Sequence, residues 1–273
     1  MNIDDVVRRA LDEDLGAIGD ATSTATVPAT LLGRADLVAR AAGVVAGLPA
    51  AATVFEIVSE GRARVEFGAA DGASVTPGEV LATVRGPVRD ILMGERTALN
   101  LLCHLSGIAT LTRRWVDAVA GTRAVIRDTR KTLPGLRALE KYAVRCGGGE
   151  NHRMSLSDAA LVKDNHVAAA GGVVKAFDAV RTAYPQLPIE VEVDTVAQAR
   201  EVIDAGAEVV LLDNMPPGQL REVVAYARGR AKLEASGGLT LERAREVAET
   251  GVDYLAVGAL THSAAALDIG LDM

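Results

Sequence analysis

Four stretches, IEVEVDT (189–195), VVLLDN (209–214), KLEASGG (232–238) and DYLAVG (253–258), decide the fold of this chain. They begin 20, 23 and 21 residues apart, and each is a short apolar run that stops on polar or glycine residues. The segments between them, VAQAREVIDAG, PGQLREVVAYARG and LERAREVAETG, carry apolar residues at helical spacing. One strand, two short loops and one helix account for such a repeat. Upstream, AVIRDT (124–129) and AALVKDN (159–165) add two more runs, and GVVKAFDAVRTAY supplies another helix. Apolar strands separated by amphipathic helices mean a parallel sheet covered on its outside.

The strand ends choose between a barrel and a doubly wound sheet. They read Asp128-Thr129-Arg130, Lys163-Asp164-Asn165, Glu192 and Asp194, Asp213-Asn214, Glu234 and Ser236, and Gly258. In a barrel such ends converge on one mouth, where active sites sit. A closed barrel of this kind has about eight strands, and six are visible. The expectation is therefore an α/β fold with an open (incomplete) α/β barrel over residues 111–261.

Residues 1–110 read differently. An N-terminal helix over Asp4–Asp14 precedes β-prone pieces, RADLVARAAGVVAGL, RARVEFG and GEVLATVRG, with turns at Asp71-Gly72 and Pro77-Gly78. A long helix follows from Arg89 to Val119. This part is expected to form an N-terminal α/β sandwich domain, with 262–273 packing back onto it.

Bulk properties narrow the function. A net charge of −7 and a pI near 5.2 disfavour nucleic acid and anionic membrane as partners. Aromatics at 3% leave no stacking platform for single strands. The start of the chain lacks a secretory signal, and Cys103 and Cys146 offer no disulfide framework, so a reducing cytoplasm is expected. Without a Cys-x-x-Cys, a structural zinc site is not expected either. Lysine is used sparingly, yet three of five lysines (Lys131, Lys141, Lys163) fall within 131–163.

Three groups of residues carry chemistry. Ser236-Gly237-Gly238 and Gly258-Ala259 follow the last two strands. Glycines there let backbone N–H groups approach a phosphate, and a following helix N-terminus adds favourable partial charge. The second group is the cationic run from Arg127 to Lys163, which contains Arg130, Lys131, Arg137, Lys141, Arg145, His152 and Arg153. A solvated helical face explains Arg137, Lys141 and Arg145, spaced by four. It does not explain Arg130-Lys131 after a strand, or His152-Arg153 after a glycine loop. Arginine forks suit carboxylates and lysine suits phosphate oxygens, so the ligand should be strongly anionic. The third group is Glu192 and Asp213 at neighbouring strand ends. They serve as ion-pair partners, as a general acid/base pair, or as groups around Mg²⁺.

In this order RDTRKTLPGLRALEKYAVRCGGGENHR, ALVKDNH, EVEVDT, LLDN, EASGG and GVDYLAVGALTHS resemble quinolinate phosphoribosyltransferases, as do EDLG…GDATS and GERTALNLL near the N-terminus. The resemblance covers nearly the whole chain. It implies phosphoribosyl transfer to quinolinate from phosphoribosyl pyrophosphate, with decarboxylation. It places Arg130, His152, Arg153 and Lys163 around the two carboxylates of quinolinate. Arg96 would reach the same pocket from the second subunit of a homodimer. Lys131 would neutralise pyrophosphate, with Glu192 and Asp213 beside the ribose and its Mg²⁺, directly or through water. Ser236, Gly237, Gly238, Gly258 and Ala259 would cradle the 5-phosphate. No organic cofactor is implied.

Two rivals share this pattern. One is a phosphoribosyltransferase for a monoacid such as nicotinate, which needs fewer cations. The other is a Schiff-base aldolase with Lys163 as nucleophile, disfavoured because the neighbouring Arg and His residues mark a substrate grip.

Overall fold

The structure is a computed structural model and describes residues 3–273. It divides into two compact units. One comprises the chain up to Arg113, Thr132–Gly148 and Leu260–Met273; the other comprises Arg114–Lys131 and Gly149–Ala259.

The first unit holds α1 (Ile3–Leu15), α2 (Ala21–Thr26), β1 (Leu32–Ala39), β2 (Gly43–Val44), α3 (Leu48–Val58), β3 (Arg64–Phe67), β4 (Ser74–Val75), β5 (Val80–Pro87) and most of α4 (Val88–Ala118). Its main sheet runs β12-β1-β5-β3, where β12 is the C-terminal strand Ile269–Asp272. β1 pairs antiparallel with both β5 and β12. The expected strands are present, and α3 is a difference from the sequence reading. LPAAATVFEIV is assigned no element from the sequence, but Pro49 opens a helix there and Asp71 caps its start by accepting from Gly47 N and Leu48 N.

The segment Thr132–Gly148 carries α5 (Arg137–Cys146) and lies with this first unit. Glu140, fully buried, accepts from His104 Nε2 at 2.9 Å and from Leu133 N at 3.1 Å. Lys141 is also fully buried, which corrects the reading of Arg137, Lys141 and Arg145 as one solvated face. The periodicity was right for a helix; the face bearing Lys141 turns inward. Both cysteines are free.

The second unit contains β6 (Val125–Arg127), β7 (Ala160–Val162), β8 (Ile189–Val193), β9 (Val209–Asp213), β10 (Lys232–Ser236) and β11 (Tyr254–Ala256). All six are parallel neighbours in the order β6-β11-β10-β9-β8-β7, and β6 does not pair with β7. This is the open barrel expected from the repeat. The connecting helices are α6 (Asp164–Ala170), α7 (Val173–Ala183), α8 (Val196–Asp204), α9 (Pro217–Ala227), α10 (Ala244–Ala248) and α11 (Ala259–His262).

The pleat explains the sidedness. Val191, Val193, Val210, Leu212, Leu233, Ala235 and Leu255 are buried, as are Ala199, Val202, Leu220 and Val223 on the helices. Burying each such Val or Leu contributes about 1.5–3 kcal/mol. The alternate positions, Leu161, Glu192, Leu211, Asp213, Glu234, Ser236 and Ala256, line a cavity instead. One detail departs from expectation. LERAREVAETG forms a 3₁₀ turn at Leu241–Arg243 and then only the five-residue α10, because the Arg243 amide bonds back to the Thr240 carbonyl. Any helix-dipole contribution at the Ser236–Gly238 loop is correspondingly small.

Candidate active site

The cavity at the carboxyl ends of the strands measures about 570 Å³ and lies wholly within the second unit. Its wall includes Arg130, Lys131, His152, Arg153, Lys163, Glu192, Asp213, Ser236, Gly237 and Gly238. These sequence-predicted residues therefore meet at one place. Gly258, Ala259 and Arg96 are not part of that wall: Gly258 and Ala259 follow β11, whose end Ala256 does line it, and Arg96 is exposed on α4. A second cavity of about 880 Å³ lies among α6, α7 and β7, but its lining is mostly Ala, Leu and Val. An anionic ligand has little to bind there, so volume alone misleads.

The cationic side is held under electrostatic tension. Burial, and next the Arg130 guanidinium beside it, lower the pKa of Arg153 from its ordinary value. Arg153 also donates through one terminal nitrogen to the Ala159 carbonyl at 2.8 Å, which fixes its reach. An anion between the two forks would relieve their repulsion. Lys163 sits one residue beyond β7 with its ammonium 2.7 Å from Glu192 Oε2. Its backbone N–H donates to the ring of His166 at 2.9 Å, so His166 caps the start of α6.

The acidic side is built by register. Asp213 lies opposite Ser236 on β10, and Glu192 lies opposite Leu211 on β9. Asn214, in the left-handed region at φ 53°, donates its side-chain amide to Asp213 Oδ2 at 2.7 Å and its backbone N–H to the Ser236 carbonyl at 2.9 Å. That amide also abuts the glycine loop. A Cβ on Gly237, whose φ is +84°, would fall 2.3 Å from Asn214 Oδ1. Asn214 was visible in the sequence only as a polar strand end, and its role comes from the turn it adopts.

His152 is placed differently from a simple ligand donor. Its Nε2 lies 2.5 Å from Glu190 Oε2 and its Nδ1 accepts the Arg153 backbone N–H at 2.8 Å. Its backbone N–H donates to Asp128 Oδ1 at 2.8 Å. Glu234, fully buried, meets Arg127 at 3.1 Å, and burial followed by repulsion from Glu190 raises its pKa to about 7. Glu190 was not singled out in the sequence. The signal was its spacing: two residues before Glu192 in a strand, it faces the same interior.

Glu192 and Asp213 offer hard oxygen donors suited to Mg²⁺. Each has one oxygen engaged by Lys163 or Asn214, which leaves the other for a hydrated cation. The residues present therefore fit such an ion.

Residues 20–106 match the family description "Quinolinate phosphoribosyl transferase, N-terminal domain", and residues 108–272 match its C-terminal counterpart. A nicotinate-nucleotide pyrophosphorylase [carboxylating] of Mycobacterium leprae is 55% identical, with 98% of this chain and 96% of that protein covered. A probable nicotinate-nucleotide pyrophosphorylase [carboxylating] of Bacillus subtilis is 44% identical over 96% of this chain and 90% of its own length. Among solved structures, NadC from Streptococcus pyogenes superimposes with a TM-score of 0.95 at 39% identity, covering 99% of this chain and 95% of the other.

Proposed function

The chain belongs to the quinolinate phosphoribosyltransferase family, and from that premise we propose how its cavity divides between the substrates of the reaction. That reaction is phosphoribosyl transfer from phosphoribosyl pyrophosphate to quinolinate with decarboxylation, giving nicotinate mononucleotide, pyrophosphate and CO₂ in NAD biosynthesis.

Arg130, Arg153 and Lys163 hold the two carboxylates of quinolinate, and His152 serves the same pocket from beneath Arg153. Lys131 faces the pyrophosphate of the donor. Ser236, Gly237 and Gly238 cradle its 5-phosphate, with Gly258 and Ala259 completing the cradle when the donor is seated. Glu192 and Asp213 stand beside the ribose and would hold Mg²⁺, directly or through water. When bound with the donor, that ion neutralises part of the pyrophosphate charge. The observation that supports this division best is that two close guanidiniums, Arg130 and Arg153, line one cavity together with the carboxylates Glu192 and Asp213.

The chemistry follows from charge. As pyrophosphate leaves, positive charge develops at the anomeric carbon, and Glu192 and Asp213 stabilise it. The pyridine nitrogen, oriented by the cation wall, attacks that carbon. The bond from the ring to the adjacent carboxylate then breaks. Its electron pair stays on the ring carbon, stabilised by the quaternised nitrogen, CO₂ departs and that carbon takes a proton. No organic cofactor is required.

Arg96 is exposed on α4, and in this reading it completes the pocket of a second copy within a homodimer. Among the described residues no helix is long and apolar enough to cross a membrane, and a cytoplasmic enzyme without nucleic-acid or membrane partners fits the acidic surface. The test is quinolinate-dependent release of CO₂ and pyrophosphate from phosphoribosyl pyrophosphate, with nicotinate as control. Equal turnover of nicotinate, or none of quinolinate, overturns the assignment.

A further inference from the structure

A charged layer lies one pleat repeat beneath the mouth of the barrel. Glu190 precedes Glu192 by two positions on β8, and Glu234 precedes Ser236 by two on β10, so both point into the interior. Barrel interiors are ordinarily filled by bulky apolar side chains. Here Glu234 is fully buried and Glu190 nearly so, and one oxygen of each, Oε1, is buried without a hydrogen-bond partner among the described residues. Arg127 meets the other oxygen of Glu234 at 3.1 Å and stacks 3.5 Å above the Tyr254 ring. His152 lies between the two acids, 2.5 Å from Glu190 Oε2 and 3.8 Å from Glu234 Oε1.

Such a layer costs stability relative to an apolar filling, so its use lies elsewhere. The hydrogen bonds show where. Nδ1 of His152 accepts the backbone N–H of Arg153, so Nδ1 carries no proton and the proton is on Nε2, facing Glu190. Neither ring nitrogen then has an N–H left to offer a ligand. The ring's effect on the pocket passes through Arg153, whose backbone it holds. A divalent cation among His152, Glu190 and Glu234 has the ligand spacing, all within 4.8 Å. It would have to sit beside the Arg127 guanidinium and displace the Nε2 proton, and the proton is the simpler occupant.

We infer that Glu190 is a positioning residue of the dicarboxylate pocket: it holds His152 in its Nε2–H form, so that Nδ1 anchors the backbone of Arg153 beside Arg130. This inference rests on the quinolinate reading of the site for its kinetic consequence, but not for its ring geometry.

The experiment uses the full-length chain labelled with ¹⁵N-histidine, with His152 assigned by comparison with His152→Asn. Ring ¹⁵N shifts at pH 8 should show Nε2 protonated and Nδ1 as an acceptor. A doubly protonated ring, or the Nδ1–H form, overturns the inference whatever the substrate proves to be. Kinetically, Glu190→Gln keeps an acceptor for Nε2–H, whereas Glu190→Leu does not. The quinolinate KM should stay within about threefold of wild type in the first and rise about tenfold in the second, with the KM for phosphoribosyl pyrophosphate unchanged in both. A folded Glu190→Leu with unchanged quinolinate KM, or with both KM values raised alike, also overturns it. Should wild type fail to turn over quinolinate, the site reading falls while the ring spectrum still decides the tautomer.

Discussion

The Lys163 ammonium and the Glu192 carboxylate, from adjacent parallel strands, lie 2.7 Å apart at the rim of the cavity. The pairing of Val162 with Val191 brings them within reach, since each next residue projects to the same side. It joins the two halves of the proposed site. Lys163 belongs to the grip on the acid, and Glu192 to the group that meets the ribose. Without substrate each neutralises the other; in the proposed division, a bound dicarboxylate would give Lys163 a second anionic partner and partly release Glu192 toward the developing cation.

Lys163→Ala should therefore lower kcat/KM for quinolinate by at least about a hundredfold. Lys163 is 46% exposed, so the thermal transition should stay close to that of wild type. Arg130→Ala should behave alike. Steady-state kinetics with calorimetry checks both, and near-normal turnover in either variant contradicts the proposed pocket.

The glycine loop gives a second test. Gly237→Ala puts a Cβ 2.3 Å from Asn214 Oδ1 at a φ of +84°, and the left-handed backbone alone costs about 1–2 kcal/mol. The KM for phosphoribosyl pyrophosphate should rise well above that for quinolinate. Asn214→Gly removes the clash but not the backbone strain, so the double variant should recover part of the loss. A double-mutant cycle measures that coupling.

Much of this site was legible because parallel strands announce themselves as apolar runs with polar ends. Lys163, Glu192, Asp213 and Ser236 all stand at such ends. What stayed hidden depends on tertiary burial. Lys141 and Glu140 look like a charged helix surface until α5 turns them inward. Glu190 looks like an ordinary charge in IEVEV until the pleat sets it beneath Glu192. α3 escaped notice because an Ala/Val run serves helix and strand equally, and only Gly47 and Pro49 mark its start.

Subunit mixing examines Arg96. If a second copy completes the pocket with this residue, Arg96→Ala and Lys163→Ala chains are each inactive alone. A mixed dimer then contains one site with both residues intact. Mixing at equal amounts should restore about a quarter of wild-type activity at most, because half the dimers are mixed and each has one good site. Verified mixed dimers without recovery count against a shared site.

The pH dependence of stability isolates Glu234. Its folded pKa, about 7, lies above the ordinary 4.5 because burial, and then Glu190, disfavour its charge. Between these values the folded state binds more protons than the unfolded chain, so stability falls as pH rises from about 4.5 through about 7 and then levels off. Glu234→Gln carries no charge at any pH and lacks this loss. Its melting temperature relative to wild type should therefore climb between pH 5 and pH 8. A difference that stays flat or declines across that window would mean that Glu234 is already ionised in the fold at low pH, with Arg127 outweighing the cost of burial.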